Sequence, residues 1–189
     1  MTKQEALKIL EGFGNSPNMI KHALACGFVM RALCLKLITQ PSELKTVEDQ
    51  WEIVGFLHDA DYEATDKDLQ KHTSLIIEKL KKNGVSREVT DAIRGHFDKS
   101  YQKTLMAKAI YACDELTGLI VACALVQPDK KLKSVTTKSV LKKFKDSSFA
   151  RGAHRDQIKT CQSELHIPLE EFISLSLKAM QDHASELGL

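Results

Sequence analysis

Histidines and aspartates are the residues of this 189-residue chain whose types and spacing could support chemistry. His58 and Asp59 follow directly after the apolar run Ile53–Leu57, which is suited to a hydrophobic core. A charge carried toward a core is costly unless an opposite charge, several hydrogen bonds or a metal ion compensates it. The stretch GFLHDADYE (55–63), which also holds Asp61, therefore predicts a compensating group in the folded chain.

Further polar groups fall on the apolar faces of predicted helices. His22 shares a helical stripe with Cys26 and Val29, and Asp114 lies among apolar turns in AIYACDELTGLIVACALV. The inward-facing groups outside the first stretch are His22, His72, His96 and Asp114. An isolated histidine on an apolar face is usually a core residue with one hydrogen bond. Four histidines and two aspartates on separate helices instead favour a metal site, since imidazole with carboxylate suits Mn, Fe, Zn, Co or Ni.

The elements that must position these groups are predicted to be helices throughout, in an all-α fold without strand alternation or repeats. His72 is expected on a helix in register with Ile76 and Leu80, and His96 on the helix that contains Ile93. The predicted helices run from Thr2 to about Gly12, Ser16 to about Ile38, Thr46 to the His58–Asp59 pair, through Ile76 and Leu80 to Asn83, Ser86 to Phe97, Leu105 to Val126, about Thr137 past Phe144, Ile158 to Leu165 and Pro168 to Leu187, with a break at Gln40-Pro41-Ser42.

Composition excludes several classes of protein. The 43% of hydrophobic residues suffices for a sizeable core, and the net charge of +2 does not favour a nucleic-acid binder. The longest uncharged run, Leu116–Pro128, has 13 residues, too few to cross a bilayer of about 30 Å as a helix. The N-terminus lacks the apolar block of a signal peptide. Five cysteines without a C-x-x-C pair fit a reducing compartment, so a cytoplasmic protein is expected.

The order of the candidate ligands resembles a known signature. His22, then His58 and Asp59, then His72, His96 and Asp114 follow the H…HD…H…H…D order of the HD-domain superfamily, an all-helical family of metal-dependent phosphohydrolases. The stretches IKHALACGFVMRAL, GFLHDADYE, AIYACDELTGLI and KSVLKKFKDSSFARG are similar to those of a bacterial and archaeal group of predicted HD-domain hydrolases. The resemblance covers most of the chain.

The resemblance implies a role for each ligand. One metal ion would be bound by His22, His58, Asp59 and Asp114, and Asp59 would bridge to a second ion held by His72 and His96. Simpler family members bind only the first ion, so one or two divalent ions are expected (Mn, Fe, Co, Ni or Zn, with Mg also compatible). The implied activity is hydrolysis of a phosphomonoester or phosphodiester, on a nucleotide or small phosphorylated metabolite, by water that the metal activates.

Asp59 and Asp61 are the predicted catalytic carboxylates. Asp59 would act at the metal centre, and Asp61 would orient a ligand or the water. A solvated loop position is the alternative interpretation of Asp61. Glu115 is expected to be structural or to support the ligands.

The basic stretch after Pro128 allows two interpretations. One is an amphipathic helix from about Thr137 whose lysines are solvated. The other is that basic side chains reach across the metal cleft to bind substrate phosphate, arginine by a bidentate fork and lysine as a point charge. The candidates for phosphate binding are Lys138, Lys142, Lys143, Arg151 and Arg155. The predicted division is a metal-binding core at 1–128 and a basic helical extension at 129–189 packed on it.

Two other functional classes remain open at this point. Di-iron oxygenases of the same superfamily share the order of the six ligands. The third class is non-catalytic, either a nucleotide-sensing module or a partner-binding helical protein. The expected partner is a small phosphorylated substrate, with a nucleotide among the candidates. A membrane or nucleic-acid partner is not expected, and a homo-oligomer stays open.

Overall fold

Helices form all the regular structure that the computed structural model describes, which comprises residues 1–39 and 44–189. The predicted all-α fold is confirmed. The predicted break at Gln40-Pro41-Ser42 lies outside the described residues. The helices are α1 (Lys3–Gly12), α2 (Pro17–Leu37), α3 (Leu44–Leu57), α4 (Ser74–Lys82), α5 (Arg87–Gly95), α6 (Leu105–Leu125), α7 (Thr137–Lys145), α8 (Arg155–Glu164), α9 (Leu169–Asp182) and α10 (Ala184–Leu187), with single 3₁₀ turns at Lys99–Tyr101 and Leu132–Ser134.

Side-chain caps set the starts of the first two helices. Thr2 and Glu5 form a capping box at α1, as the sequence predicts. At α2 the Ser16 hydroxyl accepts from the backbone N–H of Met19, and Pro17 occupies the first turn. These caps place His22 a little more than one turn into α2.

The apolar segment after Thr104 forms the central helix of the fold. Helix α6 packs against α2, α5, α7, α8 and α9, so it is buried on most sides. Helix α9 also packs on α2, and α10 contacts both α2 and α9. The C-terminal helices thus cover the same core that carries the candidate ligands. The domain boundary at residue 128 stays a prediction.

Helices α2 and α3 touch through their backbones at a pair of glycines. A Cβ at Gly55 would lie 2.5 Å from the Cα of Gly27, and a Cβ at Gly27 would lie 2.2 Å from the Cε1 of Phe56. Neither distance is compatible with a side chain at these positions. This close crossing fixes the separation of His22 on α2 from His58, which directly follows α3.

Several helix boundaries differ from the sequence predictions. Helix α3 begins at Leu44 and α8 at Arg155, two and three residues before their predicted starts. His72 precedes α4 instead of lying on it, because Thr73 has a left-handed backbone (φ 65°) and the helix begins only at Ser74. His96 is buried, as its predicted inward position requires, but it is the C-terminal cap of α5 and lies one residue beyond the helix. The last predicted helix is divided at His183 into α9 and α10, where the His183 ring stacks on Phe28 with centroids 3.8 Å apart.

In the described ranges, no helix combines the length and apolar character that crossing a membrane requires.

Substitution of Gly55 by alanine is expected to destabilise the fold strongly. The added methyl group meets backbone of α2, which no side-chain rotation can move, so we expect a loss of about 3 kcal/mol in the free energy of unfolding. Urea denaturation followed by circular dichroism measures this loss. Gly12→Ala is the matched control: its Cβ meets nothing within 4 Å, and it should leave stability unchanged or raised by up to about 1 kcal/mol. Equal stabilities of the two variants would contradict the close crossing.

Candidate metal centre

The carboxylate of Asp59 lies between two pairs of histidines. Its Oδ1 is 3.2 Å from the Nε2 of His72 and 3.1 Å from the Nε2 of His96. Its Oδ2 faces the other pair, at 3.8 Å from the Nε2 of His22 and 3.7 Å from the Nε2 of His58. One carboxylate is therefore shared by two groups of ligand atoms, as the sequence interpretation requires of a bridging residue.

Two triangles of ligand atoms result. In the first, the Nε2 atoms of His22 and His58 are 3.2 Å apart, and Asp114 Oδ1 is 3.1 and 3.5 Å from them. In the second, the Nε2 atoms of His72 and His96 are 2.8 Å apart and share Asp59 Oδ1. Ligands bound at about 2.1 Å stand roughly 3.0 to 3.4 Å apart in octahedral or tetrahedral coordination. Both triangles fit a divalent cation.

Hydrogen bonds at the Nδ1 atoms leave the Nε2 atoms free to bind. The Nδ1–H of His58 donates to the carbonyl of Gly55 at 2.8 Å, and that of His96 donates to Ile93 at 2.5 Å. A carbonyl can only accept, so these two bonds fix the tautomer. In each case the ring folds back on the last turn of the preceding helix. Two Nε2 lone pairs that face each other are balanced when a cation binds both, which supports the metal assignment.

Asp61 is fully buried instead of lying in a solvated loop. Its carboxylate accepts backbone N–H groups from Thr73 and Leu75 at 2.9 Å and from Ile76 at 3.1 Å. These bonds cap α4 from a distant part of the chain. Its Oδ1 also lies 3.4 Å from the Nδ1 of His72. Asp61 thus holds the backbone that directly follows His72, and through it positions His72, whose own Nδ1 makes no hydrogen bond. Its carboxylate does not line the cleft described below.

The carboxylates create a strongly negative field at the centre. Burial alone would lower the pKa of His58, but Asp59 and its neighbours outweigh burial and raise that pKa to about 10. Burial likewise opposes protonation of His72, yet Asp59 and Asp61 raise its pKa to about 9. Burial would raise the pKa of Asp59 and Asp114, and the histidines hold both well below the usual value. The field stabilises positive charge at Nε2, whether carried by a proton or by a metal ion.

Two residues beside His22 were not among the sequence candidates. The Cys26 Sγ lies 3.8 Å from the Nε2 of His22, and burial raises the pKa of this thiol. The Thr117 hydroxyl donates to the carbonyl of Asp114 at 2.8 Å and lies 3.4 Å from the Nδ1 of His22. Spacing could have identified both, since Cys26 is four residues from His22 and Thr117 three from Asp114.

The centre opens into a cleft of about 380 Å³. One wall comes from the metal-binding helices and the opposite wall from the loop between α7 and α8. The lining residues are His22, Asp59, Tyr62, Asp114, Glu115, Gly118, Ala150, Gly152 and Ala153. A small ligand in this cleft would contact both the core and the C-terminal part of the chain.

Arg155 holds the loop that forms the second wall. Its guanidinium donates to the carbonyls of Ala150 and Ala153 at 2.6 Å each. It also donates to the carbonyls of Phe144, Asp146 and Phe149. These bonds support Ala150 in a left-handed backbone conformation (φ 44°). Glu115 attaches the loop to α6, because its carboxylate accepts the backbone N–H of His154 at 3.0 Å.

The five basic candidates for phosphate binding are separated by the fold. The guanidinium of Arg155 is occupied by the loop carbonyls, which corrects its expected role. Lys142 and Lys143 line a different cavity of about 130 Å³, beside Cys123. Lys138 is exposed on α7, as the solvated-face interpretation predicts. Arg151 alone among the five lies between residues that line the metal cleft, and it is exposed.

Replacement of Asp61 by asparagine is expected to weaken the His72–His96 triangle. The amide would turn an N–H group toward backbone donors, at a cost of about 2–3 kcal/mol in unfolding free energy, and metal affinity there should fall about 10- to 100-fold. Metal titration and urea denaturation measure the two effects.

The loss of stability in this variant should depend on pH. The folded protein holds the pKa of Asp61 below its usual value, so the stabilisation by its carboxylate is lost as pH falls through that folded pKa. The difference in unfolding free energy between the variant and the original protein should therefore shrink in acid. Asp66→Asn, on an exposed loop position, is the control, and equal metal binding by both variants would refute the positioning role.

Replacement of Arg155 by lysine is expected to loosen the loop without loss of metal. Lysine keeps the charge but cannot donate to five carbonyls at once. Backbone amides of residues 146–154 should exchange with solvent at least about tenfold faster, since each lost bond contributes about 1 kcal/mol, while the metal content stays unchanged. Hydrogen exchange with mass spectrometry measures the difference. Arg87→Lys, at a side chain that is 91% exposed, is the control. Unaltered exchange in the Arg155 variant would show that the loop is held by other contacts.

Comparison with known proteins agrees with the geometry of the centre. The family model of the HD domain matches residues 19–119, more than half of the chain and the whole range from His22 to Asp114. No curated protein and no solved structure gave a significant match. The chain therefore belongs to the HD-domain family, within the superfamily of metal-dependent phosphohydrolases.

Proposed function

We propose that the protein is a metal-dependent phosphoric ester hydrolase that acts on a small phosphorylated substrate, with nucleotides among the candidates. The observation that carries this proposal is the carboxylate of Asp59, shared by two triangles of ligand atoms at the base of an open cleft. A cleft of about 380 Å³ suits a metabolite-sized ligand. The net charge of +2 gives no support for a nucleic-acid polymer as substrate.

The ligand atoms favour transition-metal ions. His22, His58 and Asp114 would hold one ion, and His72 and His96 a second, with Asp59 common to both. Two imidazoles in each triangle favour Mn, Fe, Co, Ni or Zn over Mg, which prefers oxygen ligands. When bound, such ions lower the pKa of a water ligand and polarise a phosphoryl oxygen.

The chain's own residues bind and orient the reacting groups. The Nδ1 bonds of His58 and His96 keep their Nε2 atoms aimed at the centre. The Tyr62 ring packs edge-on against His72, with centroids 5.3 Å apart, and narrows the cleft beside Asp59. Among the five basic candidates we assign phosphate binding to Arg151, which is exposed and lies between Ala150 and Gly152 of the cleft wall.

The proposal predicts phosphatase activity that depends on metal and on Asp59. The protein is loaded separately with Mn, Fe, Co, Ni, Zn or Mg and assayed without oxygen on nucleotides, dinucleotides and small phosphomonoesters. Release of phosphate or of a nucleoside monophosphate is expected with at least one transition metal. Asp59→Ala should lower kcat/KM by more than about 100-fold. Loss of a residue that only hydrogen-bonds a metal ligand already lowers metal affinity or activity about 10- to 100-fold, and Asp59 is proposed as a ligand itself. Metal content of both proteins is measured by mass spectrometry.

Two outcomes would point to other functions. Turnover that requires oxygen would assign the centre to an oxygenase instead. A protein that binds nucleotides without turning them over would be a sensing module. Asp182→Ala, at an exposed position on α9, is the control for the Asp59 variant and should keep full activity. Equal activity of the Asp59 and Asp182 variants would refute the proposed centre.

A further inference from the structure

A second cavity adjoins the metal cleft and shares two of its lining residues. It has a volume of about 320 Å³ and is bounded by α2, α6 and the C-terminal α10 segment. His22 and Gly118 line both cavities. The ring of His22 therefore presents its Nε2 to the metal centre while also bordering this second space.

The wall of the second cavity is mainly apolar. Val121 and Leu125 come from α6, while Leu187 and Leu189 come from the α10 segment. Leu125 is 51% exposed although its neighbours in the core are buried, so the cavity offers apolar surface to a ligand. Lys21 and Asn18 on α2 supply the polar part of the lining. None of these six residues is a candidate metal ligand.

The junction between the two cavities is open because of a glycine. Gly118 is exposed on α6, and a Cβ placed there would meet nothing within 4 Å. Glycine in the middle of a helix costs about 1 kcal/mol relative to alanine. No packing contact accounts for it here. At Gly118 the helix therefore adds no side chain to the junction, which the ring of His22 also borders.

We infer that the substrate is a phosphoric ester of an apolar alcohol, whose alkyl or aryl group occupies this second cavity. The inference rests on the proposed function, because the phosphoryl group would lie at the Asp59 centre and the ester oxygen would point toward Gly118. The apolar wall binds the organic group by the hydrophobic effect. A polar sugar next to the phosphate would find few partners among the side chains of this wall.

The test measures binding of alkylphosphonates to the Mn-loaded full-length chain by calorimetry. Methyl-, butyl- and hexylphosphonate carry the same head group and are not esters, so affinity is measured separately from turnover. Affinity should rise about three- to fourfold for each added methylene until the cavity is filled. An affinity that does not change from methyl- to hexylphosphonate would overturn the inference.

Matched variants on α6 locate the binding of the alkyl chain. Leu125→Gln should reduce the ratio of hexyl- to methylphosphonate affinity at least about threefold. The same substitution at Leu105, which is 42% exposed at the other end of α6, should leave that ratio unchanged. Gly118→Leu fills the open junction and should abolish the rise with chain length. Both test positions are exposed, so the variants are expected to fold.

The outcomes separate this inference from the proposed hydrolase. Suppose that methyl phosphate is hydrolysed but phosphonate affinity does not depend on chain length, or that the Leu105 and Leu125 variants have the same ratio of hexyl- to methylphosphonate affinity. The hydrolase proposal then stands and the apolar site is wrong. A different result would refute the hydrolase and keep the apolar site. In it, no metal-loaded protein hydrolyses any ester, while phosphonate affinity rises with chain length and this rise is reduced in the Leu125 variant.

Discussion

The backbone contact between α2 and α3 at Gly27 and Gly55 is the constraint on which the rest of the molecule depends. Two helices that approach so closely have almost no freedom to slide or rotate relative to each other. His22 lies upstream of this contact on α2, and His58 and Asp59 directly follow the end of α3, just downstream of it. Their geometry is therefore set by main chain rather than by flexible side chains. Helix α6 then completes the first triangle by bringing Asp114 to the same point.

A charged cluster in the interior is tolerated because every member compensates another. The carboxylate of Asp59 lies close to four imidazoles. The carboxylate of Asp61 accepts hydrogen bonds from three backbone N–H groups and lies 3.4 Å from the Nδ1 of His72. Carbonyls at the ends of α3 and α5 accept the remaining imidazole protons of His58 and His96. The Nε2 and carboxylate lone pairs that have no such partner point into the two triangles of ligand atoms. A cation bound in each triangle would remove the repulsion between these lone pairs.

The sequence predicted the helices well where the signal is local. Caps at Thr2 and Ser16 and the apolar stripe of His22 depend on residues three or four positions apart, and the structure contains them as expected. His72 lies outside regular helix next to Thr73, whose N–H is held by Asp61 from another segment, and helical register could not show this. His96 is the cap of α5, and its ring bonds back to Ile93. Two further contacts could not be predicted from residue spacing. They are the cap that Asp61 forms on α4 and the hydrogen bonds from Arg155 to five carbonyls. The positive charge of Arg155 therefore suggested phosphate binding. In the structure its guanidinium instead holds the loop that forms the second wall of the cleft.

The loop held by Arg155 lies after the region that matches the HD-domain family, yet it faces the metal centre across the cleft. In the proposed hydrolase, the candidate metal ligands and one wall of the substrate cleft would thus come from successive parts of the chain. Residues 146–154 contribute to the cleft wall and supply none of the six candidate ligands, so the wall can be altered without replacing a candidate ligand. For protein engineering, this makes residues 146–154 and the α10 segment a region for exchange between family members.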